Sequence, residues 1–317
     1  MASSAVTRLT AHVPGTRVLI MSREITTVVT DLSYLECPRW HEGRIWFVDF
    51  YTYRVLSATA DGGDLRTEAE VPGQPSGLGW LPDGRLLVVS MRDARLLRRE
   101  ADGTLVTHAE LKGHVTGHAN DMVVDAHGRA FVGNFGFDLM NGAPLAPADL
   151  VRADPDGTVT TVAEDLWFPN GSVITDDNVL LVGETFGNRI TAFDLTRDGA
   201  LTNRRTWASF GDLPADRELP AALGQLVVAP DGCCLDADGA LWVADALGGR
   251  LIRVRESGEI VDQVAVGSGV YACMLGGDDG RTLFACSAPD FDEHARSAAR
   301  EARLLAIRVE VPHAGRP

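Results

Sequence analysis

The stretch ADGALWVAD (residues 237–245) decides the fold of this chain, because related copies of it recur along the sequence. Each copy has a turn of Asp/Gly type followed by a short apolar run, which is typical of a β-hairpin. The other copies are HEGRIWFVD (41–49), PDGRLLVVS (82–90), AHGRAFVGN (126–134), DDNVLLVGE (176–184) and DDGRTLFACS (278–287). Six copies, roughly 40–60 residues apart, indicate a repeat architecture.

A second turn signal follows five of the six copies. These signals are DGGD (61–64), ADGT (101–104), PDGT (155–158), RDGA (197–200) and SGE (257–259). Two hairpins per repeat imply four strands per repeat, so the sequence predicts an all-β, six-bladed β-propeller with four-stranded blades. We expect one domain over residues 1–317, with residues 1–20 as a mobile lead-in or a closing strand. A single sandwich of irregular strands is the alternative, but it gives no reason for the sixfold repeat.

Composition narrows the classes of partner. The formal net charge is −15, which disfavours nucleic acid and anionic membranes because both repel an acidic surface. The five cysteines include no CxxC pair, and the N-terminus lacks the apolar core of a signal peptide. We therefore expect a cytoplasmic protein that acts on a small molecule, without nucleic acid or membrane, as a monomer or homodimer.

Polar residues occupy the same place in four of the repeats. Seven or eight residues before the turn residue of their repeat stand Glu36, Asn120, Asn170 and Asp231. The same step leads to Ser76 and Ala272 in the other two repeats. Equivalent positions on the innermost strands of a propeller converge on one end of its central channel.

The converging side chains are oxygen donors with two potential negative charges. Such a set suits Ca²⁺, Mg²⁺ or Mn²⁺ better than a metal that prefers thiolates. Asn and Asp are also common in turns, which explains any one of these residues taken alone. The aligned set of four favours a divalent metal site at the channel.

Two further residues are candidates for the same channel mouth. His118 precedes Asn120 by two residues in GHVTGHAN, and Asp138 follows Gly128 by ten residues, beyond the strand. The common motifs of serine hydrolases and nucleotide enzymes, GxSxG, GxxxxGK[ST] and GxGxxG after a strand, are absent from the sequence. Their absence removes the common serine-hydrolase and nucleotide-enzyme classes.

At this point the chain resembles the family of gluconolactonases, senescence marker protein and luciferin-regenerating enzyme. The resemblance runs from about Thr30 to Val309 and includes LECPRWHEGRIWFVD, GHANDMVVDAHGRAFVGN, FPNGSVITDD and PDGCCLDADGALWVAD. It implies a six-bladed propeller that holds one divalent cation, with Ca²⁺ preferred and Zn²⁺, Mg²⁺ or Mn²⁺ as alternatives.

By motif, the resemblance implies Glu36, Asn170 and Asp231 as the metal ligands and Asn120, His118 and Asp138 as substrate-binding residues. Family members carry arginine where this chain has His118, and a glutamate near the position of Asp138. A neutral histidine suits an anionic or polyhydroxylated substrate less well than arginine does. The loops FGFDLMNGAPLAPADL and LPAALGQLVV also favour a less polar substrate.

The expected function is metal-dependent hydrolysis of a lactone or related cyclic ester. The cation polarises the carbonyl, and a water is activated by Asp231 or by His118 as general base. Two other classes stay open at this point. One is a propeller enzyme with different chemistry, such as organophosphate hydrolysis or a non-hydrolytic biosynthetic step, and the other is a non-enzymatic binding propeller stabilised by metal.

Overall fold

The sixfold repeat of the sequence is a repeat of sheets in the structure. A computed structural model describes residues 23–315. These residues form six four-stranded antiparallel sheets, which are the blades of a propeller. The predicted all-β, six-bladed architecture is confirmed. The expected lead-in or closing strand at residues 1–20 lies outside the described residues.

The first three blades follow the chain order. Blade 1 contains β2 (Leu35–His41), β3 (Arg44–Asp49), β4 (Arg54–Ala58) and β5 (Arg66–Glu70). Blade 2 contains β6 (Pro75–Trp80), β7 (Leu86–Ser90), β8 (Arg95–Arg99) and β9 (Leu105–Glu110). Blade 3 contains β10 (Ala119–Val124), β11 (Ala130–Asn134), β12 (Ala148–Ala153) and β13 (Val159–Leu166).

The remaining blades include one strand from the N-terminal part of the chain. Blade 4 contains β14 (Pro169–Ile174), β15 (Val179–Glu184), β16 (Arg189–Leu195) and β17 (Leu201–Ser209). Blade 5 contains β18 (Pro230–Leu235), β19 (Leu241–Asp245), β20 (Arg250–Val254) and β21 (Ile260–Ala265). Blade 6 contains β22 (Gly269–Gly276), β23 (Thr282–Ala288), β24 (Ala302–Arg308) and β1 (Ile25–Leu32).

The ring closes through blade 6. Strand β1 pairs antiparallel with β24 and becomes the outermost strand of a sheet whose other strands come from the C-terminal part of the chain. This pairing ties the two ends of the described chain together. It also completes blade 6 as a four-stranded sheet like the other five blades.

In blades 1 to 5 the first strand in chain order is the innermost one, and in blade 6 the innermost strand is β22. Strands β2, β6, β10, β14, β18 and β22 each contact the next around a closed ring. The turn residue of every repeat joins the innermost strand to the second one, and all six have positive φ, from 60° at Asn178 to 85° at Gly84. Gly and Asn reach this left-handed region at low cost, so the turns select these residues.

The innermost strands approach one another closely beside the channel. A Cβ placed on Gly171 would lie 2.4 Å from the carbonyl oxygen of Asp231, and one on Gly232 would lie 2.5 Å from the Cβ of Ala272. Only glycine fits at such distances between backbones. The residue that follows Asn170 and Asp231 therefore has to be glycine for these two polar residues to lie on adjacent blades.

The last residue of several repeats is polar and buried. Asp49 accepts hydrogen bonds from the backbone amides of Ser33 and Tyr34, and Asp245 accepts one from that of Ala229. Glu184 accepts from the amide of Trp167. These carboxylates satisfy buried backbone donors in the loops that lead into the innermost strands. They hold the entry of each strand in place just before its channel residue.

Two short α-helices lie in the loops that face the channel mouth, α1 (Leu219–Leu223) and α2 (Glu293–Ala299). The side chain of Asp292 caps α2 by accepting a hydrogen bond from the Ala295 amide at 2.7 Å. No helix within residues 23–315 combines the length and the apolar character needed to cross a membrane.

Candidate active site

The four polar residues found by the repeat are brought together. Glu36, Asn120, Asn170 and Asp231 are each the second residue of an innermost strand, and all four line one cavity of about 310 Å³. Each is at most 8% exposed. The pairing of the innermost strand with its neighbour shifts register next to each of them, as between Pro230 and Cys233. Such bulges re-aim side chains, which explains why these residues turn into the channel.

Blade 6 departs from the predicted equivalence. Its pairing shifts register between Val270 and Ala272, so the irregular position falls on Tyr271. Tyr271 lines the cavity, whereas Ala272 is fully buried against Gly232. Counting residues back from the turn missed Tyr271, because the bulge in this blade is offset relative to those in the other blades.

A chain of hydrogen bonds runs around the cavity floor. The Ser76 hydroxyl donates to Asn120 Oδ1 at 3.1 Å, and Asn120 Nδ2 donates to Asn170 Oδ1 at 3.0 Å. Asn170 Nδ2 donates to the Thr185 hydroxyl at 3.0 Å, and that hydroxyl donates to the Pro230 carbonyl at 2.8 Å. The chain links blades 2 to 5 and fixes the orientation of both amides.

The two carboxylates at the floor are under electrostatic strain. Burial raises the pKa of Glu36 well above its usual value, and the charge of Asp231 raises it further, while the Cys37 amide opposes the shift. Burial and the charge of Asp121 likewise raise the pKa of Asp231, opposed by hydrogen bonding from Asn170 and from the Gly232 amide. A cation bound near two buried carboxylates would offset their mutual repulsion and stabilise their charged forms.

The buried guanidinium of Arg39 is already paired with a carboxylate. Arg39 of blade 1 and Asp121 of blade 3 form an ion pair with an N–O distance of 2.7 Å, and both side chains are 4% exposed. The same guanidinium donates to the Met122 carbonyl at 2.8 Å and to the Pro38 carbonyl at 2.9 Å. Arg39 therefore neutralises Asp121 and spans the channel, rather than pairing with Glu36 or Asp231.

Two tyrosines complete the polar floor. Tyr34 and Tyr271 line the cavity with ring centroids 4.9 Å apart. Burial raises the pKa of each phenol, and the charges of Glu36 and Asp231 add to the shift. Both stay protonated at neutral pH and can donate a hydrogen bond. Tyr34 stands two residues before Glu36, but no repeat of tyrosine marks either position in the sequence.

The walls above this floor are mostly apolar, although Gln74, Arg92, His118 and Glu293 also line the cavity. Aromatic rings from several blades line them, with centroids 4.6 Å apart for Phe135 and Phe168 and 5.7 Å for Phe168 and Phe186. Helix α1 adds Leu219 and Leu223, which lie one helical turn apart and so share a face. The cavity thus has a polar, acidic end and an apolar body.

His118 and Asp138 occupy different places. His118 lines the cavity, its ring centroid 5.5 Å from that of Phe135, and burial together with the charge of Arg92 lowers its pKa. Asp138 is exposed, is not among the lining residues, and accepts a hydrogen bond from Asn141 at 2.8 Å. The negative charge of Asp138 raises the pKa of His118, but the Asp138 carboxylate is hydrogen-bonded within its own loop.

The donor set at the floor suits a hard cation. Within residues 23–315 no cluster of three or more His, Cys, Asp or Glu side chains is arranged as a metal site. The set at the cavity floor is instead two carboxylates and two side-chain amides, all of them oxygen ligands of the kind that Ca²⁺ accepts. Glu36 and Asp231 are both buried and line the same cavity, so a cation that both carboxylates contact would offset the cost of burying their charges.

Comparison with known proteins agrees with this architecture. The sequence model of the SMP-30/Gluconolactonase/LRE-like region matches residues 35–289. The chain is 29% identical to the pentonolactonase XacC of Haloferax volcanii, over 92% of this chain and 96% of that protein. It is 26% identical to the 6-deoxy-6-sulfogluconolactonase of Pseudomonas putida, over 94% of this chain and 99% of that protein.

A solved structure shows the same fold. The calcium-binding protein regucalcin of Agrobacterium tumefaciens superposes with a TM-score of 0.75 at 20% identity, over 94% of this chain and 98% of that one. At this level of identity the likeness establishes the propeller fold.

Proposed function

This chain belongs to the SMP-30/gluconolactonase/LRE-like family, and on that premise we propose that it is a metal-dependent hydrolase that opens a lactone or a related cyclic ester. The observation that carries the proposal is the pair of buried, mutually repelling carboxylates flanked by oriented amides at the end of one cavity. Relatives that align over nearly the whole chain bear the names pentonolactonase and 6-deoxy-6-sulfogluconolactonase, which supports the same reaction class.

Glu36, Asn170 and Asp231 would hold one divalent cation, most suitably Ca²⁺. Oxygen-only ligands favour this ion, and a relative of the same fold is described as a calcium-binding protein. A cation held there would supply the positive charge that polarises a lactone carbonyl. Asn120, which is anchored to Asn170, would bind the substrate beside it.

Asp231 is the proposed general base. It accepts the proton of the attacking water at a carboxylate oxygen, and a bound cation would make it a weaker base than a free carboxylate. Tyr34 and Tyr271 stay protonated and donate hydrogen bonds at the floor. The apolar walls exclude water from the reacting ester, which strengthens these interactions. His118 is the second candidate base, because its lowered pKa keeps it neutral at pH 7.

The walls predict a substrate preference. A neutral lactone with an alkyl substituent is expected to exceed gluconolactone in kcat/KM by at least about tenfold, because each buried methylene contributes about 0.8 kcal/mol. The hydroxyls of a sugar lactone would meet phenyl and leucine side chains and lose their hydrogen bonds with water. Steady-state kinetics on the two substrates measure this directly, and a preference for gluconolactone would contradict it.

A pH profile tests His118. The groups whose charges act on its ring are Arg92, which lowers its pKa, and Asp138 and Glu293, which raise it. Because the pKa of His118 is lowered from the usual value of about 6.5, we expect NMR titration of the ring to show a midpoint below that pH. If the neutral ring is required, kcat/KM falls as pH drops through this midpoint. His118→Gln should then remove that limb, and an unchanged acid limb would assign it to another group.

The reaction class is tested with the metal. Lactones, aryl esters and phosphotriesters are assayed with protein stripped of metal by a chelator and then restored with Ca²⁺, Zn²⁺, Mg²⁺ or Mn²⁺. We expect lactone hydrolysis to vanish on stripping and to return with one of these ions. Hydrolysis of phosphotriesters alone, or full lactonase activity in stripped protein, would contradict the proposal.

A further inference from the structure

Exposed apolar residues gather at the cavity mouth. Among the described residues, five large hydrophobic side chains are exposed, and three of them, Met140, Leu247 and Phe291, line this cavity. They come from loops of blades 3, 5 and 6, more than forty residues apart in sequence. Clusters of exposed apolar side chains mark binding surfaces more often than scattered ones do. We refer to these three residues as the apolar rim.

Hydrogen bonds hold the wall between the apolar rim and the cavity floor in place. The segment that carries α1 is tied to blade 4 by Asn188, whose Oδ1 accepts from the Val227 amide at 2.7 Å. The Nδ2 of this fully buried asparagine donates to the Asp212 and Gln225 carbonyls at 2.8 and 3.1 Å. The apolar face of α1 is therefore held toward the cavity.

The loop of blade 3 that carries Met140 joins the same wall. The Leu145 amide donates to the Arg217 carbonyl at 2.7 Å, and the Arg217 guanidinium lies 4.1 Å from the ring centroid of Trp167. Two inserted loops thus brace each other above the floor. Leu223 and Phe186 line the same cavity as the apolar rim and as the amides and carboxylates of the floor.

From this geometry we propose that the site is specific for a lactone that carries an unbranched hydrocarbon tail, with the tail lying along the α1 wall and leaving through the apolar rim. The inference rests on the proposed function for the position of the lactone ring. It commits to an amphipathic small molecule because the cavity combines a polar floor with an apolar rim, and because the two exposed charges that also line it, Arg92 and Glu293, are paired with each other at 2.7 Å. A polyhydroxylated substrate would leave hydroxyls unpaired against this wall.

Binding without turnover separates the tail subsite from the reaction. The probes are δ-lactams with n-alkyl side chains of increasing length, because the ring amide resists hydrolysis. Calorimetry on the metal-restored protein should show the Kd falling about three- to fourfold for each added methylene, the value expected for a buried CH₂. The gain should end when the chain has passed the rim. A Kd that does not depend on chain length would overturn the subsite.

A matched pair of variants locates the tail. Leu247 in the rim and Leu65 on the outer part of blade 1 are 48% and 47% exposed, so glutamine at either position changes the surface equally. Leu65 does not line the cavity. We expect Leu247→Gln to weaken binding of the longest lactams about threefold or more and to spare the shortest ones, while Leu65→Gln leaves the whole series unchanged. Equal behaviour of the two variants would contradict a tail at the rim.

The two proposals fail separately. Chain-length-dependent lactam binding without hydrolysis of any lactone would support the subsite and refute the hydrolase. Hydrolysis of lactones at rates that ignore tail length, with flat lactam binding, would support the hydrolase and refute the subsite.

Discussion

Replacing Asp231 with alanine is expected to lower kcat/KM for the best lactone at least about a hundredfold, the low end for loss of a general base. The variant loses the proposed base and one of the two carboxylates at the cavity floor in a single step. It also leaves Glu36 without the neighbour whose charge raises its pKa. Steady-state kinetics and the metal content of the purified variant, measured side by side, give the result.

Two companion variants separate the roles at the floor. Glu36→Gln keeps the side-chain shape but removes one charge, so it should weaken metal affinity and recover activity in excess metal. Asn120→Ala should retain metal while lowering kcat/KM, because its amide is proposed to contact the substrate. If Asp231→Ala kept both its metal and full activity, the proposed site would be wrong even though the fold is correct.

Replacing Arg39 with methionine is expected to reduce the free energy of unfolding by about 3–5 kcal/mol, the usual effect of removing one partner of a buried ion pair. Arg39 and Asp121 join blades 1 and 3 across the channel, and both side chains are almost fully buried. Methionine fills much of the volume but leaves the Asp121 carboxylate without its cation. Urea unfolding measured with metal-restored protein tests this prediction.

The same substitution at an exposed pair is the control. Arg308 pairs with Asp279 at 2.6 Å, with the two side chains 63% and 51% exposed. Surface ion pairs contribute little, so Arg308→Met should leave the free energy of unfolding nearly unchanged. Arg39→Met with Asp121→Leu should recover much of the lost stability, because an apolar pair can replace a buried ion pair. If Arg39→Met and Arg308→Met lowered the free energy of unfolding equally, the ion pair between Arg39 and Asp121 would not stabilise the fold more than a surface pair does.

The repeat itself is what the sequence determined. Hairpin turns depend on local chemistry, since Gly and Asn reach positive φ cheaply, and the run after each turn is a short apolar segment of the length of a buried strand. Six such units in a chain of this length leave the propeller as the consistent architecture. Equivalence between repeats then placed Glu36, Asn120, Asn170 and Asp231 on one cavity.

The tertiary structure decided what depends on contacts between blades. Tyr271 replaces Ala272 at the floor because of a shift in one bulge, and the pairing of Arg39 with Asp121 joins residues 82 positions apart. The composition of two inserted loops already indicated a less polar substrate, but only the structure shows that these loops contact each other and form a wall of the cavity. Local turn chemistry can be read along a chain, but packing between distant segments is set only when the ring has closed.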